Sequence, residues 1–324
     1  MTPVSERGAA LLSVLLLVAV MAVIAATALD RLTLATRLAS AAASGDQARA
    51  FAYAGEALVL RRADDIAQSR DNGWLVRDYP LPLPGGQATG RLSDATNCFN
   101  LNALVAAAGP GRFTQRPLAV EQFADLARLA GINEGEAAAI AAATADWIDS
   151  DAIEAPLGAE DEVYRSLTPA YLPANTLMAD VSELKAVHGV TAAHYARLRP
   201  LICVLPVTDP VQINVNTLRP TEAVLVAALW ADSLSLGQVR SVLAARPRGG
   251  YGSATRFWQA APLQGLTPPQ DVAEQIVVSP RWIVLTSRVV MGDSELDVRS
   301  LIDVRRDRPN AVPQIVARQF GLTD

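Results

Sequence analysis

Aromatic residues, histidine and cysteine are all scarce in this chain of 324 residues. Only 5% of the residues are Phe, Trp or Tyr, and there are two His and two Cys. Neither His188 nor His194 has the Ser or Cys context of a nucleophile site, and no Cys-x-x-Cys or glycine-rich phosphate loop is present. A sugar groove lined with aromatic rings is equally unsupported. The sequence therefore indicates a protein that is not an enzyme.

Basic excess is also missing, because the formal net charge is −5. This balance gives no bulk electrostatic case for nucleic-acid binding.

A long apolar run, by contrast, is present near the N-terminus. Residues 9–29 contain no charged side chain before Asp30 and Arg31. A helix of this length spans the hydrocarbon core of a bilayer, so we expect a membrane anchor. A cleaved secretory signal is the competing interpretation, but its apolar stretch is usually about 7–15 residues.

The leader in front of this run is short and ends in Gly8. Cleavage between Gly8 and Ala9 leaves a new amine on an intact anchor. The arrangement resembles the class III leader of type IV pilins and pseudopilins. Most members of that family carry Glu at the fifth mature position, where this chain has Ser13. Within the family, the absence of this Glu makes the chain resemble minor pseudopilin K of the type II secretion system.

The pattern beyond the anchor predicts an α+β chain: a long N-terminal helix to Asp71, a pilin-like antiparallel sheet and an inserted all-α domain. On the helix, Phe51, Ala54 and Leu58 are expected on one apolar stripe. Two strands are expected around Gly292, with alternating apolar and charged residues. The expected segments are a leader (1–8), a transmembrane helix (9–29), its continuation (30–72), first strands (73–110), an inserted helical domain (111–203), a second helical segment with returning strands (204–306) and a loosely held tail (307–324).

Helical segments that share a helix–Gly turn–helix form occur at residues 126–140 and 184–198, with a looser third copy at 225–247. They resemble helix-hairpin-helix, or SAM-like, units, which often bind DNA phosphates at turns such as those of Gly131 and Gly189. A membrane-anchored, competence-type DNA-binding protein is therefore the alternative function. The acidic Glu134 and Glu136 beside the first turn argue against it.

Four further segments extend the resemblance to pseudopilin K over nearly the whole chain: residues 91–105, 145–164, 178–190 and 213–217. The resemblance implies cleavage by a prepilin peptidase, methylation, and insertion in the bacterial inner membrane with the bulk in the periplasm. It also implies assembly with minor pseudopilins I and J, with pseudopilins H and G through the filament, and with the inner-membrane secretion platform. Ser13 and a bulky insertion both favour a place at the filament tip.

Seven carboxylates occur between Asp146 and Glu162 with no Lys or Arg among them. Such a run repels itself, and a hard divalent cation with oxygen ligands relieves the repulsion. A solvated acidic loop is the simpler interpretation, but the family resemblance implies calcium in this insertion. Asp149, Asp151, Glu160 and Asp161 are the candidate ligands of a structural Ca²⁺.

Two cysteines, Cys98 and Cys203, lie outside the anchor. An even number of cysteines beyond a membrane anchor suits one disulfide in an oxidising compartment. Two unpaired, buried thiols are the alternative.

Overall fold

The computed structural model describes residues 5–69, 72–75, 77–305 and 311–321. Its main elements, in chain order, are α1 (Ser5–Gln68), β1 (Asp78–Leu83), β2 (Gly86–Asp94), β3 (Phe99–Asn100), β4 (Val105–Gly109), β5 (Arg112–Gln115), α2 (Pro117–Leu129), α3 (Glu134–Ile148), α4 (Asp161–Arg165), α5 (Ala192–Leu198), β6 (Ile202–Cys203), β7 (Ile213–Asn214), α6 (Val224–Ala227), α7 (Leu236–Ala244), α8 (Ala254–Trp258), α9 (Gln270–Glu274), β8 (Ile276–Val277), β9 (Trp282–Met291), β10 (Ser294–Asp303) and β11 (Gln314–Phe320). Short 3₁₀ turns fill several of the connections, among them Leu101–Leu104 and Ala261–Leu263.

Helix α1 is continuous over 64 residues, roughly 96 Å at the α-helical rise, which confirms the predicted long N-terminal helix. Residues 10–43 are exposed along the helix, and this part is long and apolar enough to cross a membrane. The second half packs on the sheet. Its buried residues there are Ala48, Ala52, Glu56 and Ala63. The predicted stripe was wrong on this half, because Leu58 is 53% exposed and small alanines bring the helix close to the strands instead.

In the described part of the chain, five strands form an antiparallel sheet in the order β1-β2-β9-β10-β11. Strands β9 and β10 form the predicted hairpin, in which Ser294 pairs with Met291 and Asp303 with Trp282. Val298 and Ile302 are buried on the face that meets α1. The expected alternation is therefore confirmed, and this packing holds the spine helix to the sheet.

Residues from Phe99 to Ile276 share one hydrophobic core. Phe99 and Leu101 pack there with Phe123 and Leu126 of α2. The expected boundary at residue 110 therefore differs from the structure. Among the described residues of the first strand segment, β1 and β2 belong to the main sheet, whereas β3 and β4 do not. The helical body is inserted between β2 and β9.

The tail was expected to be loosely held from residue 307. This expectation was wrong for β11, which pairs antiparallel with β10 from Val298–Phe320 to Asp303–Gln314. A register shift at Leu301–Ile302 interrupts the alternation of that ladder.

Candidate metal centre and structural anchor points

The acidic run folds into a loop between two helix ends. Asp149 follows the last residue of α3, and Glu160 precedes the first residue of α4. Asp151 lies in the intervening loop, where its Oδ1 accepts a hydrogen bond from the amide of Ile153 at 2.9 Å. The C-terminal end of a helix carries partial negative charge, so the position of Asp149 adds to the local repulsion.

One carboxylate oxygen each from Asp149, Asp151 and Glu160 lies within 4.8 Å of the others. Asp149 and Glu160 are 1% and 4% exposed, whereas Asp151 is exposed. Oδ1 of Asp149 and both carboxylate oxygens of Glu160 are buried without a hydrogen-bond partner. Burying a carboxylate oxygen without a hydrogen-bond partner costs free energy, so positive charge bound in this loop would be stabilising.

Burial disfavours the charged form of these groups. It raises the pKa of Asp149 to about 6, and the neighbouring Asp151 and Asp146 charges act in the same direction. Burial raises the pKa of Glu160 to about 7, again with a contribution from Asp146 and Asp149. Without a cation, the pKa values of both carboxylates therefore lie close to neutral pH.

The donor set fits a hard divalent cation. Ligand oxygens about 2.3–2.6 Å from one Ca²⁺ lie no more than roughly 5 Å apart, which agrees with the spacing of this cluster. Asp149, Asp151 and Glu160 are the residues that would hold the ion. Asp161 is not part of the cluster, since its Oδ2 accepts from Arg165 at 2.6 Å.

Two residues outside the candidate ligand set support the cluster. Asp146 is fully buried and accepts hydrogen bonds from the amide of Ala159 at 2.8 Å and from Gln115 at 2.6 Å. The same Gln115 nitrogen donates to Asp149 at 2.8 Å. Gln115 ends β5, more than 30 residues before the loop, so no local pattern indicates its role.

Cys98 and Cys203 form a disulfide, with their Cα atoms 5.7 Å apart. Cys203 belongs to the short parallel pair β3–β6, in which its partner is Asn100, and Cys98 directly precedes β3. The bond therefore joins the start of the helical body to a segment 105 residues later in the chain.

The asparagines of residues 91–105 act over long range. Asn102 is fully buried, donates to the carbonyls of Met178 and Leu205, and accepts from the amide of Met178. Asn97 accepts from the amide of Asn214 at 2.8 Å. Asn97 and Asn102 therefore connect residues 91–105 to two of the other segments in which the family resemblance was found.

An ion pair with a buried carboxylate connects α1, the spine helix, to the last strand. Both carboxylate oxygens of Glu56 accept from Nε of Arg318, at 2.8 and 2.9 Å, and Ser300 donates to the same carboxylate at 2.5 Å. Glu56 is 2% exposed. The sequence carried a weak signal for this pair, since Ser300 occupies the buried face of β10 among apolar residues.

The predicted processing and tip residues all lie on α1. The helix begins at Ser5, so Gly8 and Ala9 fall within its first two turns. Ser13 lies on the exposed, apolar part of the helix. Residues 1–4 of the predicted leader lie outside the described residues.

One of the two turns considered for DNA binding, that of Gly131, contacts another helix of the head. Gly131, at φ +89°, follows α2, and its carbonyl accepts a hydrogen bond from Arg197 of α5. Nε2 of His194 lies 3.8 Å from Glu136 at the start of α3. The two hairpins therefore pack on one another, and the DNA-binding alternative gains no support.

An apolar N-terminal helix that continues onto an antiparallel sheet, with a helical body inserted between two strands, defines a pilin-type subunit with an enlarged head. Models of the family "Type II secretion system (T2SS), protein K" match residues 97–207 and 213–279. The chain belongs to the type II secretion system protein K family.

Relatives of the same family align over most of the chain. Type II secretion system protein K of Pectobacterium carotovorum is 34% identical, over 98% of this chain and 97% of the relative. The Aeromonas hydrophila protein is 37% identical over 76% of this chain and 77% of the relative. A chain in the crystal structure of the GspK-GspI-GspJ complex from enterotoxigenic Escherichia coli matches with a TM-score of 0.69 and 30% identity, covering 86% of this chain and 97% of that one.

Proposed function

We propose that this chain is the minor pseudopilin at the tip of the type II secretion pseudopilus, where it initiates or caps the filament. The observation that carries the proposal is the shape of the head together with its match to a chain of the GspK-GspI-GspJ complex. The function is structural and involves no catalysis.

The inserted body favours an end position. It occupies residues 95–281 between two adjacent strands, β2 and β9, of the sheet that packs on α1. Shaft subunits repeat along a helical filament, so a head enlarged in this way would collide with the subunit above. A terminal subunit has no such neighbour.

Ser13 supports the same position. In pilins, the fifth-position Glu of one subunit pairs with the N-terminal amine of a neighbour, and this chain carries a hydroxyl there instead. A tip subunit has no subunit above it to pair with, so the carboxylate is dispensable. Cleavage by the prepilin peptidase between Gly8 and Ala9 and methylation of the mature chain would precede assembly.

The proposed partners are minor pseudopilins I and J, with pseudopilins H and G farther along the filament and the inner-membrane secretion platform at its base. In this proposal the apolar part of α1 is anchored in the inner membrane and the head lies in the periplasm. A Ca²⁺ at Asp149, Asp151 and Glu160 would neutralise the loop and hold two helix ends together. The oxidising periplasm also suits the Cys98–Cys203 bond.

Quantitative labelling in assembled filaments tests the assignment. We expect few copies per filament, confined to one end, and co-purification of the full chain with pseudopilins I and J from detergent. N-terminal sequencing should find Ala9 first, and Gly8→Leu should leave an unprocessed membrane form. Copies spread along the whole shaft would overturn the tip assignment.

A further inference from the structure

The head also carries a surface groove, built from residues well beyond the acidic loop in the chain. Helix α7, the loop after it and the turn Ala261–Leu263 enclose a surface groove of about 490 Å³. Val242, Ala245, Tyr251, Ala260 and Pro262 line it, so the lining is mostly apolar. The volume is in the range of pockets that bind small ligands, about 300–1,000 Å³.

The groove wall is built by a fixed loop. Gly250 has φ +69°, and a Cβ there would lie 2.7 Å from the side chain of Asn216, so the position requires glycine. Asn216 accepts from the amide of Tyr251 at 2.7 Å, and the Tyr251 hydroxyl donates to the carbonyl of Val242 at 2.7 Å. The loop is therefore held in one shape before any ligand arrives.

The segment that builds the groove carries charged residues of one sign. Residues 233–270 contain four arginines and no Asp or Glu, in a chain whose net charge is −5. Arg246 serves the fold, because it donates to the carbonyls of Val215 and Leu218. Arg256 lines the groove, and Arg248 lies in the loop beside it; both are exposed.

These two arginines have no carboxylate within ion-pair distance among the described residues. Many other arginines of the head do, including Arg128 with Asp125 and Arg219 with Glu222. Gly252 leaves room for the Arg256 side chain, since a Cβ there would approach its Nη1 to 3.1 Å. An apolar groove bordered by unpaired guanidinium groups complements an apolar side chain flanked by carboxylates.

We propose that this groove binds an extended segment of a partner polypeptide that carries an apolar side chain flanked by Asp or Glu. A nucleic acid is the less suitable occupant, because the lining offers apolar surface rather than a track of phosphate contacts. The proposal does not depend on the tip assignment, since it concerns the chemistry of one surface of the head.

Selection from a random dodecapeptide display library on the full chain in detergent tests the proposal. Counter-selection uses Ala245→Trp, which fills the groove. The matched control is Ala244→Trp, which places the same ring on the neighbouring exposed residue of α7. We expect enriched peptides with apolar residues next to Asp or Glu, which bind wild type and Ala244→Trp equally and Ala245→Trp at least tenfold more weakly.

Charge is tested separately with the best enriched peptide, measured by fluorescence anisotropy. Arg256→Glu should weaken binding at least tenfold. Arg299→Glu, the same charge change at an exposed residue of β10, should leave binding within twofold. The proposal is overturned if no acidic, apolar peptides are enriched over the Ala245→Trp background, if Arg256→Glu binds like wild type, or if duplex DNA binds in their place with a steep salt dependence.

Discussion

Arg318 of the last strand donates from Nε to both carboxylate oxygens of Glu56 in the middle of the spine helix, at 2.8 and 2.9 Å. The pair joins residues 262 positions apart and fixes the edge strand β11 onto α1. The two partners differ in exposure, since the side chain of Glu56 is 2% exposed and that of Arg318 is 41% exposed. Their removal therefore has unequal consequences.

We expect Arg318→Ala to lower the free energy of unfolding by about 3 kcal/mol, because it leaves a buried carboxylate without its cation. Glu56→Gln should cost about 1 kcal/mol, since the freed guanidinium can reach water. Chemical denaturation of the full chain in detergent measures both. The double variant should resemble Glu56→Gln alone. Equal losses for the two single variants would contradict this account.

Calcium should raise the melting temperature of the full chain, because an ion that binds only the folded state stabilises it by mass action. Asp149→Ala combined with Asp151→Ala should abolish that increase, and so should Glu160→Gln. Asp161→Asn is the matched control and should keep the increase, because Asp161 bonds Arg165 outside the cluster. Identical melting in chelator and in millimolar calcium would show that no such site exists.

The stability of the chelator-treated protein should depend on pH. The pKa of Asp149 rises from 3.8 to about 6 and that of Glu160 from 4.5 to about 7, chiefly through burial. The folded state therefore binds more protons than the unfolded state between these values. Stability from these groups is present below about pH 4 and is lost as the pH rises through 6 and 7.

Melting curves between pH 4 and 8 check this slope. The calcium increment should widen over the same range, because the ion binds the deprotonated carboxylates. Asp149→Asn with Glu160→Gln should flatten the curve in chelator. A chelator curve that rises from pH 4 to 7, and rises equally in that variant, would be inconsistent with the raised pKa values.

The disulfide should contribute strongly to stability because it closes a long loop. For a separation of 105 residues, the chain-entropy model gives about 4–5 kcal/mol. Cys98→Ala with Cys203→Ala should lower the free energy of unfolding by that order, and reductant should have the same effect on wild type only. If reductant destabilises the double variant as well, the effect has another source.

Asn102 should be far more sensitive to substitution than a helix-capping asparagine. Asn102→Leu removes three hydrogen bonds in a fully buried place and should cost about 3 kcal/mol or more. Asn133→Ala removes only the cap of α3, through its bond to Gly135, and should cost about 1 kcal/mol. Denaturation midpoints of the two variants provide the comparison.

The sequence by itself determined the features that depend on local pattern. The uncharged run of residues 9–29 specifies a helix that can span a bilayer, and the alternation around Gly292 specifies the β9–β10 hairpin. The leader and the four family segments indicate the family from the sequence alone. These signals lie within short stretches of chain, where helical or strand periodicity is visible directly.

Tertiary structure alone decided which distant groups meet. Gln115 donates a hydrogen bond to Asp149 of the acidic loop, and Glu56 pairs with Arg318, which lies 262 residues later in the chain. The sequence did not indicate strand β11. An exposed edge strand is stabilised by pairing with its neighbour and needs no alternation of apolar and polar residues of its own. Burial and pairing energies depend on what the rest of the chain brings close, and that information is not local to any segment.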